Sequence, residues 1–202
     1  MSLFAHLIIG NKGSDRSNEN LDEKNDSLIK RLKAGDCNAA DELVDNYYEQ
    51  IYLFMRRLGH RRQVAEELVQ ETFLAAWQHI EQLRRAKAIN CWLYRIASNV
   101  SSRYWRKNKN NKAVNIDEIY SIPDQNNNYE QLEDREQLNR LTNAIRLLPV
   151  KLRQAVVLHY MQHLTIAEAA EAAAVRQGTF KSRLHRALKA LRKQMTEELG
   201  DI

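Results

Sequence analysis

Residues that punctuate or cross-link a chain are scarce in this sequence: 202 residues hold two cysteines, two prolines and six glycines. Average usage is about 7% Gly and 5% Pro, so turn chemistry for a many-stranded sheet is missing and an all-helical chain is expected. Cys37 and Cys91 are too few for a disulfide framework or a Cys-rich zinc site, and a reducing cytoplasm is the expected setting. Every apolar run, including Leu3-Phe4-Ala5-His6-Leu7-Ile8-Ile9, falls short of the ~18 to 20 residues that cross a bilayer, so stable membrane insertion is not expected. No basic residue precedes that run and no small-residue cleavage site follows it, so a secretory leader is not expected either. A mean hydropathy of −0.62 with 44% apolar residues fits a water-soluble chain of one domain or two small ones.

Charge is present in both signs but segregated. The totals, 31 Lys+Arg against 26 Asp+Glu, give only +5. From Arg84 to Lys112, however, there are nine Lys/Arg and no acid, and from Arg176 to Lys193 seven and no acid. Asp26 to Glu49 carries six acids against three bases. Two separated basic segments point to two contacts with a polyanion.

Helical periodicity begins at Asp26 or Ser27 and should stop at Gly35. Asp36 can cap the next helix, in which Ala40, Leu43, Tyr47, Ile51, Phe54 and Leu58 recur at helical spacing before Gly59. A third helix is predicted from about Val64 to Ile80 and a fourth from about Lys87 to Lys107. Asn108 to Glu130, with seven asparagines and Pro123, reads as a linker between two domains. Beyond it, Leu138, Leu141, Ile145 and Leu148 form one helix face, and Pro149 opens a helix through Val156, Val157 and Tyr160. Thr165 can cap a short Ala-rich helix to about Ala173, and the last helix runs from about Gln177 to Glu197.

On the third helix, Ala65, Val69, Thr72, Phe73, Ala76 and Ile80 fall on one side and Glu67, Gln70, Glu71 and Gln78 on the other. Glu67 and Glu71 are like charges at i,i+4, unfavourable by a few tenths of a kcal/mol without a cationic partner. This acidic edge is either a solvated outer face or a dock for a basic protein. On the fourth helix, Arg95, Ser98, Asn99, Ser102 and Arg106 form an acid-free polar stripe flanked by Tyr94 and Trp105. Cations for phosphates, amides for base edges and aromatics for stacking are what single-strand binding requires. Lys and Arg near a helix end also complement its dipole, and Trp92 and Tyr104 suit the core.

The short helix from Thr165, the turn near Ala174-Val175 and the longer helix after it read as helix-turn-helix. The outer face of the longer helix is Ser182, His185, Arg186, Lys189, Arg192 and Lys193, suited to a major groove; a basic helix packing on a membrane surface is the alternative. His159 and His163 are i,i+4 and could share a metal, but no acid or Cys ligand is near them in sequence, and no metal or cofactor is expected. Cys91 is either a redox-sensitive thiol or inert packing. No glycine-rich phosphate loop, Ser-His-Asp order or zinc spacing occurs, so an enzyme is not expected.

Two stretches carry a family resemblance. Ala65-Glu66-Glu67-Leu68-Val69-Gln70-Glu71-Thr72-Phe73-Leu74-Ala75-Ala76-Trp77 and Cys91-Trp92-Leu93-Tyr94-Arg95-Ile96-Ala97-Ser98-Asn99 resemble conserved region 2 of bacterial extracytoplasmic-function (ECF) sigma factors of the sigma-70 family. Leu147-Leu148-Pro149, Leu164-Thr165-Ile166-Ala167-Glu168-Ala169-Ala170-Glu171 and Gly178-Thr179-Phe180-Lys181-Ser182-Arg183-Leu184-His185-Arg186-Ala187 resemble region 4.

The resemblance implies an alternative sigma factor: a subunit that binds core RNA polymerase, recognises minus-35 and minus-ten elements and helps melt promoter DNA, with an anti-sigma partner. Glu67, Gln70 and Glu71 would dock on the polymerase clamp. The loop Gln82 to Asn90, with Arg84, Arg85 and Lys87, would receive a flipped minus-ten base, and Arg95, Asn99, Arg103 and Arg106 would hold the strand. Arg176, Thr179, Lys181, Ser182, Arg183, His185 and Arg186 would read the minus-35 element. The implied division is an extension over 1–25, a region 2 domain over 26–107, a flexible linker over 108–130 and a helix-turn-helix region 4 domain over 131–202. The expected location is the cytoplasm, with tethering at the inner membrane through the anti-sigma partner. A linker of about 22 residues at up to ~3.4 Å each reaches ~75 Å, and 17 base pairs span roughly 58 Å, so both elements are within reach at once.

One departure has a physical consequence. The family commonly has Leu-Gly-Ile-Ser at the helix-turn-helix turn, where this chain has Ala173-Ala174-Val175-Arg176. Positive φ at Ala174 would cost on the order of 1 kcal/mol relative to Gly. Without a polymerase, the same helix-turn-helix would suit a free-standing dimeric operator binder.

Overall fold

The computed structural model describes the backbone of residues 15–108 and 131–200 and the side chains of residues 24–108 and 139–196. Among the described residues the regular elements are all helical: α1 (Asp15–Lys33), α2 (Cys37–Arg57), α3 (Arg62–Gln78), α4 (Ile89–Lys107), α5 (Gln131–Leu147), α6 (Val150–Val156), α7 (Ile166–Ala172) and α8 (Gln177–Gly200). No helix among the described residues is long and apolar enough to cross a membrane. The residues expected to form the linker lie almost entirely outside the described residues.

The first four helices share a core. Leu28, Ile29 and Leu32 of α1, Leu43, Ile51, Phe54 and Met55 of α2, Ala65, Val69 and Phe73 of α3 and Ile89, Leu93 and Val100 of α4 are all buried. Gly35, at φ +80, ends α1, and Asp36 caps α2 by accepting from the Asn38 amide at 2.9 Å. Arg31 clasps the corner, donating to Asp36 at 2.9 Å and Glu42 at 2.7 Å. Helix α1 starts at Asp15, eleven residues before the expected Asp26. Residues 15–25 contain Leu21 as their single large apolar residue, so this stretch has no hydrophobic period for sequence reading to detect.

Two 3₁₀ turns, Ile80–Gln82 and Ala86–Ala88, join α3 to α4 and push the start of α4 from the expected Lys87 to Ile89. Leu83, Ala86 and Ile89 are buried at three-residue spacing, the period of a 3₁₀ turn. The intervening Arg84, Arg85 and Lys87 are thereby turned outward.

Helices α5 to α8 form the second set, around Ile145, Leu148, Val156, Leu158, Phe180, Leu184 and Leu191. Pro149 precedes α6 as expected, but after Val156 the helix widens into a π turn over Val157–Met161. His163 then takes φ +54. The expected face shared by His159 and His163 is therefore absent: His159 lies in the π turn, with Nδ1 2.8 Å from the Leu164 carbonyl, and His163 lies beyond the turn.

Helix α7 begins with a full capping box. The Glu168 amide donates to Thr165 Oγ1 at 3.3 Å, while the Thr165 amide donates to Glu168 Oε2 at 2.9 Å. It ends in a Schellman turn, with Val175 N–H donating to Ala170 O and Ala174 N–H to Glu171 O, both at 3.0 Å. Ala174 occupies the left-handed position of that turn, at φ +52, as the expected turn geometry requires.

The two sets touch along α4 and α7. Tyr94 Oη donates to Gln162 Oε1 at 2.6 Å, Cys91 Sγ contacts Glu168 O at 3.3 Å, and Arg57 donates to Met161 O at 3.3 Å. Arg153 of α6 donates to Leu58 O, just past the end of α2, at 2.7 Å.

Candidate nucleic-acid and polymerase interface

The exposed face of α3 carries Glu67, Gln70 and Glu71, as the helical wheel predicts, with Leu74 among them at 59% exposure. A large aliphatic side chain exposed on a polar face beside Glu71 suits a protein partner better than water. The acids are less unbalanced than the sequence implies, since Arg103 of α4 donates to Glu71 Oε1 at 2.8 Å. The partner lies 32 residues away, beyond any local pattern.

Between α3 and α4 runs an open groove of about 710 Å³. One wall is Glu71, Leu74, Ala75 and Gln78 of α3, continued by His79 and Gln82; the other is Trp92, Arg95, Ile96, Asn99, Ser102, Arg103 and Arg106. Three guanidinium groups face one carboxylate, which leaves the groove cationic with an indole in its wall. Amide and imidazole edges from Asn99, Gln82 and His79 add hydrogen-bond donors and acceptors to its lining.

The polar stripe expected on α4 is rotated in part. Arg95, Asn99, Ser102 and Arg106 line the groove, but Ser98 is 1% exposed and Tyr94 5% exposed. Tyr94 packs edge-on against Phe54, centroids 5.1 Å apart, and burial pushes its hydroxyl up to about 12. Trp105 stacks on His60 at 4.9 Å. Neither expected stacking aromatic therefore faces the groove; Trp92 does. Cys91, Tyr94, Ser98, Ser101 and Trp105 follow one another at spacings of three and four, which marks a second, covered stripe. Cys91 is part of it, and burial, then Glu171 and Glu168, push its thiol up to about 11.

Arg84, Arg85 and Lys87 are exposed on the loop before α4 but are not part of the groove wall. Arg176, just before α8, and Thr179, Lys181, Ser182, His185 and Arg186 on it are exposed, as are Lys189, Arg192 and Lys193, while Phe180, Leu184, Ala187 and Leu191 face the core. Arg183 is half-buried; burial, and then its neighbour Arg186, lower its pKa. Ser182 Oγ donates to Gly178 O at 2.9 Å, and Arg186 Nε to Ser182 O at 3.3 Å, which lays the Arg186 guanidinium back along the first turns of α8. A basic helix N-terminus following a capped short helix is the arrangement that enters a major groove.

Sequence reasoning missed three groups. Leu74 was invisible because a single apolar residue on a polar face breaks no period. His79 comes to the groove through the 3₁₀ turn, which sequence pattern does not specify, beside Gln82, the first residue of the loop expected to receive the flipped base. Arg153, which no sequence motif singles out, is a half-buried cation with three carbonyl acceptors: Leu58 O, Leu148 O at 3.0 Å and Arg146 O. Burial, then Arg146, lower its pKa to about 10, so it remains charged at neutral pH.

Both helix sets match known families. Residues 43–111 match the family described as Sigma-70 region 2, and residues 138–191 match Sigma-70, region 4. ECF RNA polymerase sigma factor SigW of Bacillus subtilis (strain 168) is 33% identical over 179 residues, spanning 84% of this chain and 95% of SigW. ECF RNA polymerase sigma factor SigM of the same organism is 30% identical over 161 residues, spanning 80% of this chain and 98% of SigM. In fold, the chain is similar to CnrH in its complex with the cytosolic domain of CnrY, with a TM-score of 0.61 at 20% identity over 84% of this chain and 96% of CnrH. With an acidic face and a cationic groove inside the first match, and a helix-turn-helix inside the second, this chain belongs to the ECF RNA polymerase sigma factors of the sigma-70 family.

Proposed function

We propose that the chain recruits core RNA polymerase to promoters through two surfaces that divide the work. In this reading residues 26–107 form the polymerase- and minus-ten-binding domain, 108–130 the linker, 131–202 the minus-35-binding domain, and 1–25 an extension. Glu67, Gln70 and Glu71 dock on the polymerase, with Leu74 filling an apolar pocket between them. Arg95, Asn99, Arg103 and Arg106 hold the melted minus-ten strand in the groove beside Trp92, and Arg84, Arg85 and Lys87 anchor phosphates at its loop end. Arg176, just before α8, and Thr179, Lys181, Ser182, Arg183, His185 and Arg186 on it meet the minus-35 duplex.

The observation that carries this reading is the groove itself: cations, amides and an indole on one open face, walled by the acidic helix. Melting then draws on binding energy for the unpaired strand, with no nucleotide hydrolysis, catalytic residue or cofactor of the chain's own. Two similar folds, CnrH and the RpoE of Bartonella quintana, were solved with CnrY and with the anti-sigma factor NepR respectively. A protein inhibitor of that kind is proposed here too, acting in the cytoplasm and tethering the chain at the inner membrane.

The test is binding to bacterial core polymerase followed by run-off transcription from genomic fragments, with core alone as control. New transcripts with a shared upstream sequence are expected. Absence of both core binding and initiation would overturn the reading and make operator selection on duplex DNA the next experiment.

A further inference from the structure

Gly35 and Gly59 each have a reason within the chain to be glycine. They stand at φ +80 and +89, in the left-handed region that glycine favours, and a Cβ at Gly59 would also collide with the Arg153 guanidinium. Gly178 has neither reason. It lies in the first turn of α8, where Phe180 N–H donates to Arg176 O at 3.0 Å, and its backbone is helical. It is exposed, and a Cβ built on it would meet nothing within 4 Å. Alanine would fit there and is the better helix former, so nothing in the free chain uses the missing side chain.

Its place on α8 supplies an external use. At about 100° per residue, the line opposite the buried Phe180, Leu184, Ala187 and Leu191 runs through Gly178, Ser182, His185 and Lys189. Ser182 Oγ folds back to donate to Gly178 O at 2.9 Å, so both leading residues of that line are short. The result is a bare strip about 6 Å long, four residues at ~1.5 Å each, at the leading end of the helix. Lys181 and His185 flank it on one side, and Arg186 flanks it on the other, drawn in by its bond to Ser182 O. A helix with its side chains is about 10–12 Å across, and the major groove is about 12 Å wide and 8.5 Å deep. Such a helix fills the width of the groove, so the depth to which its leading turn sinks is set by the side chains along its outward line.

We propose that Gly178 marks the closest approach of α8 to the minus-35 base edges and thereby sets the depth at which Lys181, His185 and Arg186 reach them. Gly178 is a positioning residue: it makes no base contact of its own, and what it contributes is clearance. Ser182 extends that clearance by one turn. Lys189, about two turns further on, is where the line becomes long and cationic, suited to phosphate rather than to bases. The inference rests on the function proposed above.

The test uses the full chain with core polymerase and a promoter mapped by run-off transcription. Gly178→Ala should raise the urea midpoint by about 0.2–0.5 M with unchanged slope and leave core binding unchanged. The same variant should weaken holoenzyme binding to the promoter about 10-fold or more, but binding to a promoter with a scrambled minus-35 element by less than about 2-fold. Gly178→Leu, whose side chain leaves the helix where the alanine methyl does, should erase the difference between the two promoters.

A lower midpoint for Gly178→Ala would show that the glycine serves the chain's own fold and would overturn the proposal. An equal loss on both promoters, or no loss on either, would overturn it too, while a wild-type chain that initiates in the same experiments leaves the proposed function intact. Failure of the wild-type chain to bind core or to initiate would instead overturn that function, and the inference with it.

Discussion

Ala174→Gly should stabilise the protein, against the ordinary effect of introducing glycine. Ala174 is held at φ +52 by the Schellman turn that ends α7, with its own amide and that of Val175 both bonded back into the helix. An L-residue with a Cβ in the left-handed region is disfavoured by roughly 1–2 kcal/mol. Glycine removes that term but gives the unfolded chain more freedom, an offset of about 0.4–1 kcal/mol. The difference is a net gain of roughly 0.5–1 kcal/mol. With a denaturant slope of about 2 kcal/mol/M in urea, the midpoint should rise by about 0.3–0.5 M with no change in slope.

The control is one residue away. Ala173 is the C-cap at φ −82, where glycine has no strain to relieve, so Ala173→Gly should destabilise by roughly 0.5–1 kcal/mol. Opposite signs at adjacent alanines are what backbone strain demands; the same sign at both would refute it. His163, at φ +54 on the other side of α7, should respond to glycine as Ala174 does.

Three further outcomes are expected. Glu71→Lys should abolish binding to core polymerase while leaving the melting temperature within a degree or two, since the pair it breaks is exposed; unchanged affinity in a pull-down would remove α3 from the polymerase interface. Arg186→Ala should weaken duplex binding by roughly 1–3 kcal/mol and relax selectivity at one minus-35 position if it reads a base, whereas a uniform loss across sequences with a shallower salt slope would make it a phosphate contact. His60 is buried and neutral, its pKa lowered to about 3 by burial and then by Arg153. Its contribution is therefore complete above the unfolded value near 6.5 and is lost as pH falls towards 3, at up to about 1.4 kcal/mol per unit. Urea titrations from pH 7 to 5 should show this decline, and His60→Gln should flatten it.

Sequence periodicity located the buried faces well because burial imposes a period. Ala65, Val69, Thr72, Phe73, Ala76 and Ile80 are all inside, and Thr165 and Asp36 cap the helices expected of them. The family motifs carried the functional reading, and the positive φ at Ala174 was expected because the family's turn commonly has Gly at that position. What sequence did not show were features that depend on a second element: the Arg103–Glu71 pair, the burial of Tyr94 and Ser98, and Arg153 in its three-carbonyl seat. A helical wheel assigns sides but not neighbours, and α4 has neighbours on more than one side. The π turn at Val157–Met161 likewise carries no local signature, and it removed the apparent His159–His163 pair.

The Arg103–Glu71 pair bears on how the two proposed tasks of the amino-terminal helices fit together. Both side chains are about half exposed, 56% and 48%, so the pair contributes at most about 1 kcal/mol to stability. In the proposed function each partner has a different task, Glu71 docking the polymerase and Arg103 holding the strand, although both line the groove. A weak internal pair neutralises both charges in the free chain and yields to either ligand. On that proposal, a basic polymerase surface that takes Glu71 would leave Arg103 without its carboxylate at the moment a phosphate strand is presented, and the cationic excess of the groove would rise when polymerase is bound. A buried pair in the same place would be too costly to break, and no pair at all would leave Arg103 equally available to any nucleic acid in the free chain.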